Sequence, residues 1–143
     1  MDSDVIQPGR ELPAGKAAPY RRTFVVAETL VVICGAAGAY QLIHGTHAPP
    51  VSDLQPLKLH SWVLPAVWLL VTVSVPAAVA AWLAWRRSAV TPDAVVVASA
   101  TMGLQVLTQI PFVGFNLLQV VFGGIALALA GLASQARGTG WRR

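Results

Sequence analysis

Glu28 is the carboxylate that lies inside an apolar stretch of this 143-residue chain, and it is the first residue to consider for chemistry. An ionised group at the centre of a bilayer costs roughly 2.5–3.5 kcal/mol on insertion scales, so such residues face water, a counter-charge or a transported proton or cation. Glu28 stands about one helical turn inside the edge of its segment. That is close enough to snorkel to the interface or pair with an arginine, and the structural role is the expected one. The second group is a row of amides and hydroxyls. Thr101, Gln105 and Thr108 are spaced i, i+4, i+7 and share one helical face, with Gln109 beside it, while Asn116 and Gln119 open the next segment. Side chains of this kind hydrogen-bond between helices in lipid for about 0.6–2 kcal/mol each, and this row is expected to act as such glue. The alternative is the lining of a small polar cavity.

His44, His47 and His60 cluster around Asp53 in a polar stretch, and imidazoles suit zinc, copper or haem iron. The stretch is proline-rich and offers no fixed geometry, and haem in a bundle needs histidines deep on facing helices. No metal and no cofactor are therefore expected. A single cysteine, Cys34, excludes a disulfide scaffold and any Cys-based zinc or iron–sulfur site. It is also not a lipobox cysteine, because Ile33 precedes it where a small residue is required. No nucleophile–base pair, glycine-rich phosphate loop or paired intramembrane carboxylate is present, so enzymatic activity is not expected. Arg21-Arg22-Thr23-Phe24-Val25 has the core pattern of a twin-arginine export signal, and Ala37-Gly38-Ala39 has the small residues of a cleavage site. Glu28 interrupts the apolar region between them and further apolar segments follow. The arginines are thus expected to anchor an uncleaved helix.

The elements that must position these residues are apolar helices. The chain is 55% apolar and 11% charged, against about 45–50% and about 25% for a soluble domain, and its mean hydropathy is +0.62. Four segments, at about 24–43, 61–85, 92–110 and 115–134, each hold roughly the 20 apolar residues that span a bilayer. They are too continuously apolar for barrel strands, so the expected fold is all-α, an integral membrane four-helix bundle. Residues 1–23 read as a disordered basic tail, 24–135 as the transmembrane domain and 136–143 as a short basic tail. Pro65 is tolerable near the start of the second span, Pro76 predicts a kink within it, and Arg86-Arg87 close it. Thr91-Pro92-Asp93 reads as a helix start with Thr91 as N-cap, and Pro111-Phe112-Val113-Gly114 as a tight turn that folds spans three and four into a hairpin. Gly35 and Ala39, and likewise Gly124 and Ala128, have the small-xxx-small spacing of close helix packing, within one chain or between chains.

Nine of the ten lysines and arginines lie in the two tails or at 86–92, and one, Lys58, lies in the 44–60 loop. By the positive-inside rule both termini are cytoplasmic, and Trp62, Trp82, Trp85, Tyr20 and Tyr40 fall near span ends as an aromatic belt should. The formal charge of +4 is thus a matter of membrane orientation rather than of nucleic-acid binding. Gln109-Ile110-Pro111-Phe112-Val113-Gly114, Leu118-Gln119 and Phe122-Gly123, with Leu64-Pro65 and Arg86-Arg87 before them, resemble a group of small actinobacterial membrane proteins with four predicted helices. The Ala/Val-rich composition agrees with a high-GC bacterium. The resemblance implies architecture and carries no activity across. The expected protein is a multi-pass plasma-membrane accessory or interaction subunit. Its partners would be the lipid bilayer and another copy or another membrane protein. The alternative is a small oligomeric transporter or channel using Glu28 and the polar face of the third span.

Overall fold

A computed structural model of the chain describes residues 18–45 and 48–137. Most of the N-terminal tail, His47 and residues 138–143 lie outside the described residues. The described fold is all-helical: α1 (Arg21–His44), α2 (Val63–Leu69), α3 (Val75–Trp85), α4 (Thr91–Val113) and α5 (Leu117–Arg137). Four stretches are long and apolar enough to cross a membrane: α1, the continuous Val63–Trp85 span that contains α2 and α3, α4 and α5. α1 packs along the Val63–Trp85 span, that span packs on α4, and α4 packs on α5 as an antiparallel hairpin. One buried cluster joins all four spans at the end where the chain enters α1: Phe24, Ala80, Ala84, Val95, Leu129 and Ala133 are among its members. A second cluster at mid-height holds Val31, Val73, Ala77, Met102 and Ala126. Alanine dominates the first, which lets helix backbones come close, and many of the large apolar side chains are exposed on the outside of the bundle, as suits a lipid-facing surface.

The two prolines expected to shape the chain act differently from the expectation. Pro76 does not sit at a simple kink. It occupies the first turn of α3, and ahead of it Leu70–Ser74 form a widened turn in which the Val75 N–H reaches the Leu70 carbonyl five residues back. The widened turn makes room for the ring and for the donor that proline lacks. Pro111 does not begin a turn. α4 runs through it to Val113, because the fixed φ of proline is itself helical and the loss is one hydrogen bond. The helix ends instead at Gly114, whose φ of 69° and ψ of −177° suit a residue without Cβ. The start of α4 also differs. Thr91 is already helical and its hydroxyl donates to the Ser88 carbonyl at 2.7 Å, so it does not act as a side-chain N-cap. Arg21 and Arg22 belong to α1 rather than to the tail. Within the loop, Val51–Leu57 form a 3₁₀ helix that buries Leu54 near α4, and Trp62 Nε1 donates to the Pro49 carbonyl at 2.8 Å.

Candidate functional site

A cavity of about 140 Å³ lies between the four spans, at the level of the second half of α1. Its α1 wall is Gly35 and Gly38, and its second-span wall is Leu69 and Val73. From α4 come Met102, Gln105, Val106 and Gln109, and from the α4–α5 turn and α5 come Asn116, Gln119 and Phe122. The stripe of α4 that lines the cavity is therefore 102/105/106/109, with Gln105 and Gln109 its polar members, rotated from the expected polar face at 101/105/108 with Gln109 beside it. Thr101 and Thr108 turn back on their own helix, donating to the carbonyls of Ala98 at 3.0 Å and Gln105 at 2.9 Å. Gln105 faces inward at 8% exposure and meets the second span: the single proton of the Thr72 hydroxyl is shared between its Oε1, at 3.2 Å, and the Trp68 carbonyl, at 2.8 Å.

Asn116 and Gln119 correct the expectation of cross-helix glue, because their bonds are local. The Asn116 N–H donates to Gln119 Oε1 at 3.2 Å and the Gln119 N–H donates to Asn116 Oδ1 at 3.1 Å. This is a reciprocal capping box at the start of α5, and Gln119 Nε2 ties it to the Gly114 carbonyl at 2.9 Å. The box satisfies donors that a helix start would otherwise expose to lipid.

Glu28 does not extend outward from the bundle. It is 1% exposed and lies on the inward face of α1 between Phe24 and Val31, which belong to the two buried clusters. Its Oε1 has no hydrogen-bond partner among the described residues. The expected arginine pair is not formed there either, since the ion pair among the described residues joins Arg137 to Asp93 at 2.7 Å. Arg21 instead holds the end of α3, donating at 3.1 Å to the carbonyls of both Ala84 and Trp85 and lying 5.9 Å over the Trp85 ring. It places a cation at the negative end of that helix and satisfies two of its last carbonyls.

The two small-residue pairs are used differently. Gly35 and Ala39 are buried, and Gly35 is so near Ser74 that a Cβ there would meet the Ser74 hydroxyl. Gly124 and Ala128 lie exposed on the outer face of α5. Among the histidines, His44 stacks on Tyr40 at 4.0 Å and bonds the Tyr40 carbonyl through Nδ1 at 2.9 Å, while His60 is exposed. His47 lies outside the described residues, and no cluster of three metal-ligating side chains occurs among those described. Thr72 and Ser74 belong to the site through the packing of the second span, and their signal in the sequence is a hydroxyl within so apolar a span. Ser99 Oγ, like Ser74 Oγ, is buried without a hydrogen-bond partner among the described residues. Comparison with protein-family models, curated proteins and solved structures found no match, so the arrangement is interpreted from its own residues.

Proposed function

We propose that the chain is a multi-pass protein of a bacterial plasma membrane, with both termini and the Arg86-Arg87 turn in the cytoplasm. In this reading it acts without catalysis, as an accessory subunit that associates laterally through its helices. The supporting observation is the outer face of α5. Gly124 and Ala128 repeat the spacing of Gly35 and Ala39, yet among the described residues no other helix lies within 4 Å of where a Gly124 Cβ would stand. A pair of this kind lets a second helix approach closely, which is where association in lipid gains its packing energy. Arg21, Arg22, Arg86, Arg87 and Arg137 all belong to the end of the bundle assigned to the cytoplasm, in keeping with the orientation.

The test replaces Cys34 with serine and Ala128 with cysteine, then oxidises native membranes. A disulfide-linked dimer that Gly124→Leu abolishes supports a second copy at this face. An unlinked Ala128→Cys chain that co-purifies in mild detergent with another membrane protein, and loses it in Gly124→Leu, supports a different partner. A chain that stays alone in both experiments overturns the reading. The cavity and the inward Glu28 favour a second reading, a small oligomeric transporter or channel. It is selected if Glu28→Gln, Gln105→Leu and Gln109→Leu all keep the folded yield and lose a permeability phenotype.

A further inference from the structure

The central cavity has an uneven chemistry. None of its lining side chains is charged, and most are apolar. Gln105 is more than nine-tenths buried, and its Oε1 is engaged by the Thr72 hydroxyl. Among the described residues its amide nitrogen has no hydrogen-bond partner, and the side chain lines the cavity. Beside it the Gln109 amide also lines the wall. A cavity of about 140 Å³ is close to the size that accommodates benzene in a protein interior, so it suits a molecule of about 6–10 non-hydrogen atoms. An ionised molecule would lose its hydration there without gaining a counter-charge. One with a single oxygen acceptor would receive the Gln105 N–H and leave its apolar body to Val73, Met102 and Phe122.

The route in is lateral. Cys34 of α1 and Leu118 of α5 line the cavity and are also exposed on the outside of the bundle. The backbones of α1 and α5 pack on different neighbours rather than along each other. From these observations we infer that the cavity is a binding site for a small uncharged amphipath, a ring or short branched chain carrying one hydrogen-bond acceptor, entering from the membrane between α1 and α5. This site stands independently of the lateral association proposed above.

The chain has two methionines, Met1 and Met102, so selective ¹³C-methyl labelling produces two signals. Met102 is buried and lines the cavity, while Met1 serves as the control for general effects of solute on the micelle. The probe is benzyl alcohol, titrated into the full chain in mild detergent. The Met102 methyl is expected to shift with saturation while Met1 stays in place. Sodium benzoate and benzylammonium, of matched shape, are expected to leave Met102 unmoved. Gln105→Leu removes the donor and should raise the half-saturating concentration about tenfold, the effect of losing one hydrogen bond. Leu118→Trp alters an exposed side chain at the mouth and should weaken binding while leaving the melting temperature unchanged. A Met102 shift that is absent, that never saturates, that charged probes reproduce, or that Gln105→Leu leaves in place overturns the proposal.

Discussion

At the residue scale, Gly35 is the described glycine with the least room for a side chain, because Ser74 lies against it. An alanine at 35 would place its Cβ on the Ser74 hydroxyl, whereas the Ser74 Cβ stands at an ordinary 3.6 Å. The Ser74 Oγ is itself buried without a hydrogen-bond partner among the described residues. Gly35→Ala is therefore expected to destabilise the chain by about 1–3 kcal/mol, the usual range for an overfilled core. Ser74→Ala should be close to neutral or slightly stabilising, since it removes an unsatisfied hydroxyl. The double variant should recover most of the loss, and equilibrium unfolding in mixed detergent measures all three. Additive effects would show that some other contact of Gly35 matters more. The sequence made Gly35 and Ala39 legible as a packing pair, but Ser74 as the partner depended on the register of the second span, which no local pattern encodes.

The elements are held together at their ends by bonds between distant parts of the chain. Arg21 opens α1 and closes α3, so the two arginines of the Arg21-Arg22 pair have unequal roles. Arg21→Gln is expected to lower stability by about 1 kcal/mol, because two helix-terminal carbonyls lose a cationic donor. Arg21→Lys should fall between, since lysine keeps the charge and loses the planar fork and the stacking on Trp85. Arg22 is exposed, and Arg22→Gln should remain within about 0.5 kcal/mol of the parent. Thermal unfolding of the three variants in one detergent provides the comparison. Equal effects at 21 and 22 would point to overall charge rather than to the clamp. The prolines make the same point at this scale. Pro76 and Pro111 are equally visible in the sequence, yet one is accommodated by a widened turn and the other by a continuing helix. The difference lies in what surrounds each: Pro76 sits mid-span, where the helix must re-satisfy its backbone inside the membrane, and Pro111 sits one turn from a helix end.

For the whole molecule, orientation is the proposal most open to direct test. Reporter fusions after Ser88 and after Arg143 are expected to read cytoplasmic, and a reporter inserted near Ser52 is expected to read external. A cytoplasmic reading at Ser52 would overturn the proposed four-span topology. Sequencing the mature N-terminus in the same cells addresses the twin-arginine pattern, with an uncleaved first helix expected. A terminus near Tyr40 would leave a three-span protein.

The all-helical class and the four apolar spans were determined by the sequence alone. Both are one-dimensional properties: a helix needs about 20 apolar residues to cross a bilayer, and of the two structures that satisfy the backbone in lipid, helix and closed barrel, segments so continuously apolar suit the helix. The inward face of Glu28 was decided only by the tertiary structure, because its distance from the segment edge was equally compatible with snorkelling. The same holds for the amides. Gln105, Gln109, Asn116 and Gln119 line one cavity because a hairpin and a widened turn bring three spans to one level. Yet Asn116 and Gln119 also bond each other locally, at a helix start whose position Gly114 sets rather than Pro111. Helical periodicity defines faces to within a fraction of a turn, and a cavity is made by the relative rotation of several helices, a quantity that exists only once they pack.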